Sequence, residues 1–294
     1  MKGIKSTGIL MLTAVIWGFA FVAQNAAGDL IGSFTYNGIR FFLGCVSLIP
    51  VIIIFEKKDR VSETHNVKLR WTVISGVIAG IVLCIASWLQ QLGIVITDSP
   101  GKGGFITGLY MILVPIFGIF LKKRTGLPVW IGAIISVAGL FFLCVDERLM
   151  LGFGEGILLT GSVFWAIHIL IIDKFGDRIY SLRFASIQFF TCALISLVCA
   201  FLFEDMLWGN IQAAAIPILY GGLMSVGVAY TLQIIGQKNA DPTIASIILS
   251  TESMFAAIGG AIFGDTITSR GYIGCVLMFI GIMLTQIPAK PRKT

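Results

Sequence analysis

Charge is what this sequence lacks most. Only 12% of its 294 residues are Asp, Glu, Lys or Arg, whereas 57% are hydrophobic, and the mean hydropathy is +0.95. Soluble domains carry about 25% charged residues. The shortage extends along the whole chain, which excludes soluble enzymes, nucleic-acid-binding modules and disordered regulators. The net charge of +6 at pH 7 is better explained by membrane orientation, because the basic residues lie mainly on one side of the predicted spans. We therefore expect no nucleic-acid partner.

Catalytic motifs are also missing. The sequence has no HExxH pair, no Walker A lysine motif and no convincing Ser/His/Asp set, and its two histidines are His65 and His168. We therefore expect no enzyme, no metal site and no cofactor. The cysteines lack the spacing of metal ligands, and buried free thiols are expected. They are Cys45, Cys84, Cys144, Cys192, Cys199 and Cys275.

Long apolar stretches fill most of the chain. A helix of about 20 residues crosses the hydrocarbon of a bilayer, and ten stretches approach or exceed that length. They cover residues 6–27, 34–55, 71–96, 103–121, 128–145, 156–172, 184–203, 213–237, 243–264 and 271–287. Because they lack the alternation of barrel strands, we predict an all-α integral membrane protein with ten transmembrane helices. Pro115, in the middle of the fourth stretch, predicts a kink.

The basic residues predict the orientation. With the N-terminus in the cytoplasm, 17 of the 21 Lys and Arg residues fall in cytoplasmic segments, and the other four are Arg40, Lys102, Arg148 and Arg270. We therefore expect a multi-pass protein of the cytoplasmic (inner) membrane with both termini on the cytoplasmic side.

The two halves of the chain repeat each other at an offset of 148 or 142 residues. The aligned pairs include Trp17 with Trp165, Phe41 with Phe189, Trp88 with Tyr230, Gln91 with Gln233, Gly132 with Gly274 and Gly139 with Gly281. We divide the chain into residues 1–148 and 149–294, each with five spans. Because five is odd, the second half must enter the membrane upside down relative to the first. Inverted repeats surround a central cavity that either side can expose, as in secondary transporters.

Five segments carry a family resemblance. They are AVIWGFAFV at 14–22, RFFLG at 40–44, VPIFGIF at 114–120, TESMFAAIGGAIFGD at 251–265 and IGCVLMFIGIML at 273–284. With these segments nearly the whole chain resembles the EamA family of the drug/metabolite transporter superfamily. The resemblance implies ten helices in two inverted halves and, in many members, export of amino acids or other small metabolites. Where the family usually has Pro and a final Glu in the ninth span, this chain has Ser253 and Asp265.

Ionisable groups within the spans are few, and each costs about 2.5–3.5 kcal/mol to insert. Glu252, near the middle of its span, either binds a substrate ammonium, carries a proton or pairs with a basic group. Arg40 and Lys102 lie nearer the outer side and either line the cavity as gate charges or reach back to the interface. His168 stands one helical turn from Trp165 and is either a ligand or a packed hydrogen-bonding residue.

Aromatic rings beside amides suit a zwitterion or a small amphiphile. The alternative is an interfacial aromatic belt with hydrogen bonds between helices. The candidate substrate-binding residues are Trp17, Gln24, Trp88, Gln91, Trp165, His168, Tyr230, Gln233 and Glu252, and the candidate gate or cavity charges are Arg40 and Lys102.

The sequence therefore predicts a secondary transporter that exports small metabolites such as amino acids by alternating access around a central cavity. The alternatives are an efflux permease for drugs, organic cations or nucleotide-type metabolites, and an intramembrane enzyme. The expected partners are a small-molecule substrate and the lipid bilayer. The oligomeric state is open, and a monomer is compatible with the sequence.

Overall fold

A computed structural model describes residues 2–55, 63–97, 100–123, 125–144, 152–262, 268–285 and 287. Every regular element in these ranges is a helix. Eight helical spans are long and apolar enough to cross a membrane, and two shorter apolar helices, Leu127–Leu143 and Ser269–Thr285, complete the set of ten. The prediction of an all-α membrane protein with ten spans is confirmed.

The spans follow one another with short connections. In chain order they are Lys2–Gly28, Ser33–Phe55, Glu63–Thr97, Pro100–Gly108 with Tyr110–Phe120, Leu127–Cys144, Phe153–Phe175, Ser181–Phe203, Ala215–Leu219 with Tyr220–Tyr230 and Thr231–Gln237, Pro242–Leu249 with Glu252–Ile262, and Ser269–Thr285. The third span begins at Glu63 instead of the predicted Trp71, because a helix can continue beyond the hydrocarbon where its polar residues reach water. Two short helices, Gly176–Arg178 and Trp208–Ala213, lie in connections.

The outer surface of the bundle is apolar, whereas its interior combines apolar with polar side chains. Ile54, Phe201 and Val276 are 67%, 82% and 59% exposed, as side chains that face lipid must be. Ser87 and Gln188 are fully buried among the helices. Interhelical hydrogen bonds and close packing stabilise such a bundle, since lipid supplies no hydrophobic drive between helices.

Glycines show how the two halves are related, at the crossing of the fifth and tenth spans. A Cβ atom added to Gly132 would lie 2.6 Å from the carbonyl oxygen of Gly281, and one added to Gly139 would lie 2.6 Å from that of Gly274. The repeat offset of 142 residues exchanges Gly132 with Gly274 and Gly139 with Gly281. The two contacts are therefore copies of each other across a twofold axis. The predicted inversion of the second half is confirmed.

The same axis relates the packing near the centre of the bundle. The Cβ position of Gly80 lies 2.7 Å from the carbonyl oxygen of Gln188, and that of Gly222 lies 3.1 Å from the carbonyl oxygen of Arg40. Gly80 aligns with Gly222, and Arg40 aligns with Gln188. These contacts hold the third span against the seventh and the eighth against the second, which fixes the backbone at Arg40.

The fourth and ninth spans are interrupted at equivalent positions. Their first segments begin at Pro100 and Pro242, 142 residues apart, and their breaks at Leu109 and Thr251 have the same separation. At both breaks the backbone N–H bonds three residues back, to Ile106 in one span and Ile248 in the other, and both distances are 3.2 Å.

The break in the fourth span lies at Leu109, six residues before Pro115, where the sequence predicted a kink. The ninth span breaks at the equivalent position, and the residue that aligns with Pro115 is Ala257. Proline is therefore not what interrupts these spans.

The eighth span departs from regular α-helix. It is π-helical from Tyr220 to Tyr230, whereas its counterpart, the third span, is a single α-helix. π-Helical hydrogen bonds reach five residues along the chain instead of four, so each turn holds more residues. Side chains after Tyr220 are consequently rotated relative to their counterparts in the third span.

Candidate functional site

A cavity of about 440 Å³ lies among mid-span residues of seven spans. It is the empty space between the lining atoms and includes the part that is open to solvent. The lining residues are Trp17, Phe21, Gln24, Arg40, Gln90, Tyr110, Trp165, Ile169, Ser225, Tyr230, Gln233, Leu249 and Glu252. The cavity combines aromatic, amide, cationic and anionic groups.

Aromatic rings form one wall around Tyr230. The Trp17 ring meets Tyr230 edge-on with centroids 4.6 Å apart, and the Trp165 ring lies nearly parallel to Tyr230 at 6.1 Å. The Trp17 indole N–H donates to the carbonyl oxygen of Ser225 at 3.3 Å. The buried Trp165 indole N–H has no partner among the described residues. The repeat-related tryptophans therefore both border the cavity, and one of them keeps a free hydrogen-bond donor.

Arg40 contributes a positive charge to the lining although only 2% of the residue is exposed. Its Nε donates to the Asn37 side-chain oxygen at 3.0 Å, and its guanidinium lies 4.9 Å from the ring centroid of Tyr36 and 5.0 Å from that of Phe41. Cation–π contacts of this kind stabilise a desolvated guanidinium. No carboxylate pairs with Arg40 within the described part of the chain.

Glu252 supplies the negative charge of the lining. It is the first residue of the second segment of the ninth span, where the helix dipole favours a carboxylate. The Tyr110 hydroxyl donates to Glu252 Oε1 at 3.2 Å, and 6% of Glu252 is exposed. Glu252 and Arg40 border the same cavity, yet they form no ion pair with each other among the described residues.

Three glutamines add amide groups. Gln90 Nε2 donates to Gln24 Oε1 at 3.4 Å, which joins the third span to the first. Gln233, on the eighth span, is 1% exposed, and its Oε1 has no partner among the described residues. An unpartnered buried acceptor and donor, on Gln233 and Trp165, are groups that a polar ligand would satisfy.

Some of the predicted site residues lie outside the lining. Trp88 stacks on Phe34 at 4.9 Å, and Gln91 Nε2 donates to the Gln24 backbone carbonyl at 2.9 Å. Their repeat counterparts Tyr230 and Gln233 do border the cavity. The π-helical stretch of the eighth span accounts for the difference, because it rotates Tyr230 and Gln233 relative to the regular third span.

His168 and Lys102 are two further predicted site residues, and neither is among the described residues that line the cavity. His168 is fully buried behind Trp165, and its Nε2 donates to Gln188 Oε1 at 3.0 Å, which links the sixth and seventh spans. Lys102 lies in the helix Pro100–Gly108, and its side chain is outside the described part of the structure.

Sequence reasoning missed six of the lining residues: Phe21, Gln90, Tyr110, Ile169, Ser225 and Leu249. Three of them had a signal in the sequence. Phe21 and Ile169 each follow an aligned tryptophan by four residues and are themselves 148 residues apart. Tyr110 aligns with Glu252 at the offset of 142. The other three had no comparable signal.

The described residues contain no group of three or more His, Cys, Asp or Glu side chains that could hold a metal ion. The cysteines whose side chains are described are free thiols, three of them buried. Cys144 ends the fifth span, and its side chain lies outside the described part.

The model of the EamA-like transporter family matches residues 5–145 and again residues 152–287. An uncharacterized transporter of Archaeoglobus fulgidus is 24% identical over 95% of this chain and 84% of its own length. The uncharacterized transporter YoaV of Bacillus subtilis strain 168 is also 24% identical, over 97% of this chain and 98% of its own. A protein of known crystal structure shares the fold, with a TM-score of 0.79 over 99% of both chains at 17% identity. The chain therefore belongs to the EamA-like transporter family and is a multi-pass membrane transporter.

Proposed function

We propose that this protein is a secondary transporter that exports small zwitterionic metabolites, amino acids foremost, across the cytoplasmic membrane. The observation that carries the proposal is the presence of Arg40 and Glu252 in one cavity without an ion pair between them. An α-amino acid has a carboxylate for the first charge and an ammonium for the second. Trp17, Trp165 and Tyr230 then offer aromatic surface to an apolar side chain.

The free-energy cost of burying an unpaired charge in a membrane supports a zwitterionic substrate. Each buried ion costs free energy unless it is paired, so a cavity that holds both signs apart favours a ligand that carries both. A substrate with only an acid or only an amine would leave one protein charge unmatched. The cavity therefore discriminates by matched charge as well as by shape.

Alternating access is supported by the twofold axis and by polar contacts between the halves at both ends of the bundle. The carboxylate of Glu204, at the end of the seventh span, accepts hydrogen bonds from the backbone N–H groups of Phe34 and Thr35, both at 2.8 Å. Near the opposite end, Lys123 forms an ion pair with Asp173. We propose that these two contacts open in turn as one half rocks against the other.

The proposed orientation and location rest on the basic residues. An excess of Lys and Arg in the segments that include both termini favours the cytoplasmic side for those segments. The ion pair of Lys123 with Asp173 is then a cytoplasmic contact, and the Glu204 contact faces outward.

A panel of three matched compounds tests the proposal in proteoliposomes. The panel comprises leucine, its amine analogue isopentylamine and its acid analogue 4-methylpentanoate. We expect leucine counterflow by the wild-type protein and little by either analogue, because each analogue leaves one of the two charges unmatched. Absence of leucine counterflow, or equal uptake of the three compounds, would contradict the proposal.

An organic-cation permease is a second candidate, because aromatic rings cluster beside the one acidic residue of the lining. The same panel decides between the two. Faster counterflow of isopentylamine than of leucine would favour the cation permease, since Arg40 would then contribute nothing to recognition.

A further inference from the structure

Tyr110 and Glu252 are counterparts that meet at the centre of the bundle. They align at the repeat offset of 142 residues, and each is the first residue of the second segment of an interrupted span. The Tyr110 hydroxyl donates to Glu252 Oε1 at 3.2 Å. The hydrogen bond therefore joins the two halves of the protein at the two helix breaks, and both residues border the cavity.

The hydrogen bond also provides Glu252 with its partner. Among the described residues, no basic group pairs with Glu252, and the Tyr110 hydroxyl is the one side-chain donor to it. Glu252 is 6% exposed and Tyr110 is 3% exposed, so water has little access to either. Leaving a buried carboxylate without a donor costs free energy.

We propose that Tyr110 takes the place of the substrate ammonium in the empty transporter. When the cavity is empty, the Tyr110 hydroxyl donates to Glu252. When a substrate binds, its ammonium displaces the hydroxyl from Oε1. Glu252 thus has a hydrogen-bond partner in both the empty and the loaded transporter. The empty transporter can therefore reorient. The inference rests on the proposed function, because it requires a substrate that carries an ammonium.

The inference predicts which part of the cycle depends on Tyr110. Net efflux requires the empty carrier to return, whereas counterflow uses loaded carriers in both directions. Without the hydroxyl, the return step would carry an unpartnered carboxylate through the membrane interior and would slow. Loaded steps would slow less than the return step, since the ammonium supplies the partner. Tyr110→Phe should convert a net exporter into an exchanger.

The experiment compares two rates for Tyr110→Phe in proteoliposomes with leucine as the probe. We expect the ratio of net efflux into leucine-free buffer to counterflow to fall about tenfold or more, the scale set by loss of a hydrogen bond to a charged group. Retained counterflow also shows that the variant is folded. Tyr110→His, which keeps an aromatic ring and a donor, should recover net efflux.

Tyr220→Phe is the matched control. Its hydroxyl donates to the Ile16 carbonyl at 3.0 Å, which also joins two spans, but neither residue borders the cavity. The ratio of net efflux to counterflow should stay unchanged in this variant. A parallel fall of both rates in Tyr110→Phe, or no change in their ratio, would overturn the inference. A wild-type protein without leucine counterflow would instead contradict the proposed function.

Discussion

Phe41 and Phe189 occupy equivalent positions in the two halves, and their ring centroids lie 6.1 Å apart. Residues that meet their own counterparts must lie beside the twofold axis. The Tyr230 ring contacts both, at 5.8 Å from Phe41 and 5.9 Å from Phe189. Because Tyr230 also borders the cavity, the cavity lies next to the axis about which the halves are related.

Substitution of Trp17 or Trp165, which line the cavity, should lower transport more than substitution of Trp88. We expect Trp17→Leu and Trp165→Leu each to lower leucine counterflow about tenfold, because each removes an aromatic contact with Tyr230 and part of the wall. Trp88→Leu is the control, since Trp88 stacks on Phe34 outside the lining, and it should keep most of the activity. An equal loss in all three variants would show that the wall is not the binding surface.

Arg40 should determine recognition of the carboxylate. We expect Arg40→Gln to raise the KM for leucine about tenfold or more, because a charge-assisted hydrogen bond is lost, and to raise isopentylamine uptake relative to leucine. Arg270→Gln removes another arginine that lies over an aromatic ring, at 5.4 Å from Phe142, and Arg270 is not in the cavity lining. The preference for leucine should persist in that control. Its loss from both variants would argue against a specific role for Arg40.

Substitution of a glycine at the crossing of the fifth and tenth spans should lower stability equally in either half of the protein. Gly139→Leu and Gly274→Leu each place a side chain against a backbone carbonyl, and we expect each to destabilise the protein by about 1–3 kcal/mol, read as a lower thermal unfolding midpoint in detergent. Gly156→Leu is the control, because a Cβ added there meets nothing within 4 Å. A large effect at only one of the two glycines would be inconsistent with a symmetric interface.

Cysteine labelling can test the proposed orientation. Lys5 and Phe153 are exposed equivalents at the starts of the first and sixth spans, 148 residues apart. In a cysteine-free background, an impermeant maleimide should label Phe153→Cys on intact cells and Lys5→Cys only after permeabilisation. Labelling of both variants from the same side would rule out opposite orientations of the halves.

The architecture could be predicted from the sequence because it follows from the number and length of the apolar spans. Span lengths and the odd number of spans per half require an inverted bundle whatever the side chains do. The positions of Trp17, Trp165 and Glu252 within their spans were enough to bring them to one cavity.

The part of the site that was missed depends on local helix geometry. Trp88 and Gln91 align with Tyr230 and Gln233, but a π-helical stretch in one span changes which way the aligned residues face. Tyr110 aligns with Glu252 in the sequence, but no proline or capping pattern marks the break at Leu109 that places Tyr110 at the start of a helical segment.

The halves match in backbone but differ in side chains at the position shared by Arg40 and Gln188. Arg40 lines the cavity, whereas Gln188 bonds to His168 away from it. Two identical halves would make the inward-facing and outward-facing orientations degenerate in free energy. In the alternating-access cycle proposed above, a cation on one half alone contributes to removing that degeneracy, and we expect the unloaded protein to populate the two orientations unequally.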